Sequence, residues 1–568
     1  MTRQTSLAAL SEIIELQKSP KPLSELEPEI KECLSKFSFL LVLTSNDATE
    51  RQMLSNSLSI WTKINEAIQV YMENTGKDPQ TTRTPLICYR TRLIRGVILL
   101  ARNLIVGLRS LLLYSDAERA DFYSRIGIRN KDISGNLLIQ SLYVNHSNNI
   151  IPLCLTFLDI IKELEESGSP EFVDVYYNAM VACFEYLTNI TNISTDLKKN
   201  VTPDYNADTL LEFLSALPTY WDIFARLNIV ETNLLLCVFI YFRNLFNDDE
   251  LLSKIFHHHP RALVNLVGTC LLKLMPSVRN NEKFTEEQLE QLEIVSLSMY
   301  VNMVSHEGLG PFLIKAASSG NDEQAIVELL RTFQIILTSK ENGWDKLKLV
   351  NIVAWLMDYF KFTAREASAL LEKKEPDDNE KARLSRLHSQ TISVLDSLSS
   401  LTQYDEVRQM LNHYHFLSDL IPFFRVVERN TFKKKLKDDQ APPHAKYFPQ
   451  VKLIIVEIIT ALVYENFENQ ELMRDIHGLE LILNNCNLDA HEPFIKERAI
   501  LCIKYLLQDN PRNQEFVAKL EAKGTSIDPE NEAILEQAGF EVNIEDGKVK
   551  LKKSTRLAEL EQSAASSS

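Results

Sequence analysis

The side chains best suited to chemistry are histidines: the run His257-His258-His259, closed by Pro260, and the pair His413 and His415. A structural zinc site needs four ligands that converge, whereas adjacent ring vectors at a helix end diverge. Neither group is accompanied by a Cys-x-x-Cys pair or by carboxylates at ligand spacing. No metal site is expected. The eight cysteines, Cys33, Cys88, Cys154, Cys183, Cys237, Cys270, Cys486 and Cys502, are scattered through apolar stretches. They read as reduced, buried thiols. The acidic runs Asn247-Asp248-Asp249-Glu250 and Glu163-Leu164-Glu165-Glu166 fit helix starts or solvated faces better than paired catalytic carboxylates. No Gly-x-Ser-x-Gly elbow, phosphate-binding Gly-x-x-x-x-Gly-Lys-Ser/Thr loop, Gly-x-Gly-x-x-Gly turn or His-Glu-x-x-His pair occurs. The expectation is no catalytic residue, no cofactor and no enzyme. Binding is the mode that remains.

Asparagine is the polar residue whose placement carries a pattern. Asn103, Asn145 and Asn189 follow one another at 42 and 44 residues, and Asn244 and Asn302 continue at 55 and 58. An amide both donates and accepts, so a regular ladder on the inner helices of a repeat array could hold the backbone of an extended peptide. The irregular spacing favours a structural role, in which each amide bonds a carbonyl of its own or the adjoining repeat. Lys433, Lys434, Lys435 and Lys437 likewise fit a solvated linker better than a nuclear import signal.

The elements that position these residues are helices. Apolar residues recur at three and four spacing in nearly every segment, as in Ile495, Ala499, Cys502, Ile503 and Leu506. Asn510-Pro511 ends that helix, because the residue before proline is driven out of the α region. A second helix is expected from about Gln514, with Phe516, Val517 and Leu520 inward and Gly524 as its cap. The unit is read as a helical pair. Glycine (15) and proline (20) are scarce, and hydrophobic residues reach 45% of 568, so a helical core can run along most of the chain. Asn469-Gln470 returns 44 residues later as Asn513-Gln514, inside the roughly 40–47 residue period of HEAT and armadillo repeats. About nine or ten repeats would fit the length. The net charge of −16 repels phosphate backbones and anionic membrane surfaces. The apolar run Leu234 to Phe242 is about half the ~20 residues a membrane helix needs. Neither nucleic acid nor membrane is an expected partner.

The expected fold is therefore all-α, an armadillo/HEAT-like right-handed helical solenoid. Residues 1–428 would form an N-terminal array, 429–448 a flexible basic and proline-containing insertion, and 449–552 a C-terminal set of repeats. Glu372 to Leu384 is expected as a second mobile loop. Phe540, Val542, Ile544, Val549 and Leu551 alternate with polar residues around Asp546-Gly547, which predicts a short C-terminal β-hairpin. Residues 553–568 drift into serine and alanine and are expected to be disordered.

Gly478-Leu479-Glu480-Leu481-Ile482-Leu483-Asn484-Asn485-Cys486-Asn487-Leu488-Asp489, followed by Glu492-Pro493-Phe494-Ile495-Lys496-Glu497, Asn513-Gln514 and Gly539-Phe540-Glu541-Val542, resembles the C-terminal domain of the ataxin-10 family. The likeness runs from about Val451 to Leu551. Arg498 stands where animal members commonly carry tryptophan, which marks a fungal-type member. The resemblance implies a cytoplasmic, armadillo-type protein that regulates cytokinesis and cell division by binding other proteins, with self-association open. Asn484, Asn485, Asn487, Asp489, Asn513 and Gln514 are the matching polar residues and the candidate protein-binding surface. The competing structural reading makes Leu483 to Asp489 a helix end, with Asp489 capping the next helix. An importin-like cargo or peptide carrier is the alternative function, and an enzyme with an unrecognised site ranks behind it.

Overall fold

The computed structural model describes residues 3–75, 85–107, 149–166, 170–193, 223–224, 233–258, 267–268, 274–319, 323–339, 344–431, 448–520 (without 488, 490, 491 and 493), 540–545 and 548–553. Asn145, Cys270, His259, most of the 429–448 insertion, Gly524, the Asp546-Gly547 turn and the tail from 554 lie outside the described residues. The chain divides into two compact blocks, Met1–Leu398 and Ser399–Ser568.

In the first block the helices are α1 (Arg3–Lys18), α2 (Leu23–Asn46), α3 (Ala48–Ser55), α4 (Leu58–Thr75), α5 (Pro85–Gly107), α6 (Ile151–Glu166), α7 (Val173–Ile193), α8 (Asn233–Phe246) and α9 (Asp249–His258). They continue as α10 (Met275–Arg279), α11 (Glu286–Val304), α12 (Leu309–Ser319), α13 (Glu323–Ser339), α14 (Lys346–Glu372) and α15 (Asp378–Leu401). Polar caps set several starts. The Asp47 carboxylate accepts from the N–H groups of Thr49 and Glu50, Asp345 does the same for Leu347 and Lys348, and Thr285 with Gln288 forms a capping box. Each such cap stabilises its helix by about 1 kcal/mol.

The long helices α2, α5, α7, α8 and α11 pack side by side in that order. Each buries an apolar stripe that it could not bury alone, which is how a repeat array builds a continuous core. Aromatic rings meet edge to face across the layers, Phe157 with Tyr176 at 5.8 Å and Phe184 with Tyr241 at 6.1 Å. Farther on, Trp355 of α14 donates its indole N–H to the Val304 carbonyl at 2.9 Å. Gly310 of α12 lies so close to this tryptophan that a Cβ there would stand 2.9 Å from the Trp355 Cβ. The stretch 372–384 corrects the expectation of a loop: α14 runs to Glu372 and α15 starts at Asp378. A reciprocal bond shortens the connection, the Glu380 N–H donating to Asp377 Oδ1 at 2.8 Å and the Asp377 N–H to Glu380 Oε2 at 3.0 Å.

The second block contains α16 (Asp405–His413), α17 (Phe416–Asn430), α18 (Val451–Val463), α19 (Phe467–Asp475), α20 (Gly478–Asn484), α21 (Ile495–Leu507) and α22 (Pro511–Ala518). Its repeat is a triplet of helices, not the expected pair. Left-handed residues do the splitting: His415 and His477 precede the second helix of each triplet, and Gln450 and Phe494 precede the third. Glu465 and Asp509, also left-handed, follow the third helices and lead into the Asn466 and Asn510 caps of α19 and α22. With Pro511 as its first residue, α22 starts earlier than expected, and Leu520 falls beyond its end and is exposed. The contact boundary at 398/399 also precedes the insertion, because α17 packs on α18 and α20. Phe540–Glu545 pairs antiparallel with Lys548–Lys553, Val542 opposite Leu551 and Ile544 opposite Val549.

Candidate functional site

Lys452 is the second residue of α18, in the otherwise apolar run Val-Lys-Leu-Ile-Ile-Val. A cation in the first turn is disfavoured by the helix dipole and by burial, yet its side chain is only 3% exposed. Three carboxylates from neighbouring segments answer it. Asp489 Oδ2 accepts from Lys452 Nζ at 2.8 Å, Glu428 of α17 lies 3.9 Å away, and Glu492 is buried nearby on the segment that leads into α21. Burial pushes the Glu492 carboxyl up to about 7, against the opposing pull of the Lys452 cation and the Leu453 and Lys452 amides; the Asp489 charge adds to the rise. Its oxygens make no hydrogen bond of standard geometry. The cluster fastens the segment after α20 onto the start of α18.

Asp489 therefore does not cap the following helix: Phe494 holds that position, and the Asp489 carboxylate turns back to Lys452. Asn485 is buried and donates its amide to the Leu481 carbonyl one turn earlier at 2.8 Å, while Asn484 and Asn487 are exposed. Cys486 is half-buried and Cys502 fully buried, its thiol pushed up to about 12 by desolvation. Such a thiol is not a nucleophile at neutral pH. Among the described residues no three His, Cys, Asp or Glu side chains are grouped to hold a metal ion.

Asn513 and Gln514 belong to a separate amide network. Asn513 Nδ2 donates to the Leu506 carbonyl at 2.9 Å and to the Gln470 carbonyl of the preceding repeat at 3.0 Å. One repeat earlier, Asn469 makes the matching bond to Leu462 at 2.7 Å and a second to Asn412 Oδ1 at 2.7 Å. Gln514 and Gln470 reach back to Leu507 and Val463 in the same way. The candidate residues thus fall into two structural groups, and only Asn484, Asn487 and Gln514 among them are exposed.

The asparagines of the first block are engaged alike. Asn103 Nδ2 donates to the Leu41 carbonyl and to Thr44 Oγ1, both at 3.1 Å, and Asn244 repeats this two layers on with Thr188 and Thr191. Asn189 reaches the Arg102 carbonyl, and Asn302 meets Asn247 and Lys348. Lys452 and Glu428 were not singled out from sequence; the only signal was a lysine where the apolar pattern of α18 has no place for one.

Residues 451–552 match the family described as the spinocerebellar ataxia type 10 protein domain, from the first residue of α18 into the second strand. The ataxin-10 homolog of Debaryomyces hansenii is 36% identical over 316 residues, which are 55% of this chain and 60% of that relative. The ataxin-10 homolog of Candida glabrata is 26% identical over 561 residues, 90% of this chain and 93% of that one. That of Saccharomyces cerevisiae is 25% identical over 560 residues, 89% of each. The chain thus carries the ataxin-10 domain at 451–552 and is similar to ataxin-10 homologs along about nine tenths of its length. The ataxin-10 domain therefore begins at the valine before Lys452, and the buried charge cluster and the Asn469–Asn513 network are features of its interior. Glu428 stands outside it and ties the preceding helix to its first turn.

Proposed function

We propose that the chain is a non-enzymatic, cytoplasmic protein-interaction scaffold that regulates cytokinesis through partner binding. The observation that carries this reading is the division of labour between its polar and apolar side chains. The amides that a peptide-reading ladder would need are bonded to neighbouring helices, so the importin-like alternative loses its recognition device. Large apolar side chains are instead presented to solvent on the packed helices, Phe39 at 64% and Val42 at 58% on α2 and Val106 at 59% on α5. Phe39 and Val42 line a cavity of about 420 Å³ together with Leu43, Asn46, Asp47 and Ala48. Exposed apolar clusters of this kind mark protein contacts, and the implied family role supplies the cellular process. Among the described residues no helix is long and apolar enough to cross a membrane.

The test is replacement in a host lacking the protein. Restoring the full chain is expected to restore septation and normal nuclear number. The Phe39→Ser/Val42→Ser chain, with an unchanged melting temperature, is expected to fail and to lose partners captured by brief crosslinking. Normal division in the deleted host would overturn the cytokinesis role. Identical crosslinked partners for both chains would overturn this surface.

A further inference from the structure

The first block holds a cavity of about 550 Å³ where the ends of α1 and α4 meet the starts of α2 and α5, a size common to small-ligand sites. Two cations line it, Lys18 and Arg90, and no carboxylate does. Helix α5 itself carries Arg90, Arg92, Arg95 and Arg102 and no acidic residue. Glu66 reaches Lys18 only at 3.5 Å and is held by Lys63 at 2.8 Å. Glu73 precedes Asn74 of the lining but is exposed and takes no part in it. A positive cavity on a chain of net charge −16 is a local arrangement, not a consequence of composition.

Arg90 is half-buried, and no described carboxylate answers its charge. One terminal nitrogen donates to the Ser19 carbonyl at 2.7 Å, while the buried Nε has no acceptor. Burial lowers the pKa of this guanidinium, with no neighbouring carboxylate to raise it back. Gln17, another lining residue, has no exposed surface. Its amide nitrogen donates to the Arg90 carbonyl at 2.9 Å, Asn74 donates to its backbone carbonyl at 2.8 Å, and its Oε1 has no partner. Leu86 and Ile87 line the cavity in the first turn of α5, so their N–H groups have no acceptor within the helix and the positive end of its dipole lies there. A buried donor and a buried acceptor left open in one wall are costly. A single ligand carrying an anionic oxygen and a donor satisfies both.

We propose that this cavity binds a phosphate monoester. Its charge of about −1.5 to −2 at neutral pH matches Lys18 and Arg90 together, where a carboxylate would leave one cation over. Its three terminal oxygens accept from Arg90 Nε, Lys18 Nζ and the first-turn amides of α5, the donor set that suits a phosphate at a helix start. An N–H or hydroxyl of the organic part donates to Gln17 Oε1, and its carbons rest on Leu23 and Leu86. A phosphorylated serine of a protein and a free polyol phosphate present the same chemistry. The site goes beyond the scaffold reading and does not depend on it.

The test is phosphorus NMR of two probes, a short acetylated phosphoserine peptide and glycerol phosphate, each with the full chain at constant ionic strength. Binding broadens the phosphorus line, and the probe broadened at the lower chain concentration identifies the source of the phosphate. Arg90→Gln and Lys18→Gln are each expected to weaken binding about tenfold or more, the worth of a hydrogen bond to a charged group. Lys18→Gln leaves the Arg90–Ser19 bond in place, so its melting temperature should match that of the parent chain even where Arg90→Gln lowers it. Arg92→Gln removes the same charge from an exposed position of α5 and should bind as the parent chain does. The proposal falls if neither probe is broadened, or if Lys18→Gln binds like the parent chain. It also falls if Arg92→Gln weakens binding as much as Arg90→Gln, which would mean a general field and no site. Displacement of both probes by equimolar acetate would mark a site for any carboxylate and overturn the phosphate assignment.

Discussion

Lys452 Nζ stands 2.8 Å from Asp489 Oδ2 with both side chains buried, joining the first turn of α18 to the segment between α20 and α21. A buried pair of this kind contributes little net stability against an apolar replacement, but removing one partner strands the other. Here the stranded charge would be a group of carboxylates. Lys452→Met is therefore expected to destabilise the second block by about 3–5 kcal/mol. Hydrogen exchange followed by mass spectrometry on peptides from α18 and α20 reads the loss locally. Protection equal to that of the parent chain would mean that the lysine is not holding the segment.

Glu492 adds a pH dependence of opposite sense to the usual carboxylate. Its folded value of about 7 lies above the ordinary 4.5, so the folded chain binds an extra proton between these limits. The stabilisation is complete below about pH 4.5 and is lost as pH rises through about 7, an effect of roughly 3 kcal/mol. Glu492→Gln keeps the shape and removes the charge. It is expected to raise the urea midpoint of the second block at pH 8 and to flatten its change between pH 5 and 7. A parallel pH profile in the two chains would place the glutamate in water.

Asn513 and Gln514 are adjacent in sequence and unequal in structure. Asn513 is fully buried and donates two bonds, to Gln470 and Leu506, whereas Gln514 is exposed and donates one. Asn513→Ala leaves two buried carbonyls without their donor and is expected to cost about 2–3 kcal/mol. Gln514→Ala should cost about 0.5 kcal/mol or less. Thermal unfolding of the two variants ranks them, and equal shifts would contradict the burial difference.

The helical character of the chain and the 44-residue echo were readable because both rest on periodicity, and periodicity survives in a single sequence. Ile495, Ala499, Cys502 and Leu506 line the buried face of α21 as their spacing requires. The triplet form of the repeat was not readable. It depends on left-handed turns at His415, His477, Gln450 and Phe494, none of which is glycine. Nor was the role of Asp489 visible, since its partner lies 37 residues upstream on an apolar helix. Hydrophobic spacing predicts which face is buried, while the pairing of two buried charges is a tertiary fact. The boundary at 398/399 was missed for a similar reason, because composition marks the insertion at 429–448 and says nothing of which helices pack across it.

Asn103 and Asn244 separate a stacking role from a peptide-binding one. Each sits near the end of a long helix and donates to a carbonyl and a threonine hydroxyl on the helix before it. If stacking is their task, Asn103→Ala and Asn244→Ala should each lower stability by about 1–3 kcal/mol through the stranded partners. Because the two sites share no partner, the double variant should lose close to the total of the two effects. The measurement is the urea midpoint of the first block for the two single variants and the double. A peptide-reading ladder makes the contrary demand: surface amides removed without an effect on stability. Unshifted midpoints would restore the carrier alternative, and shifted ones leave the asparagine series to the architecture, with recognition carried by other side chains.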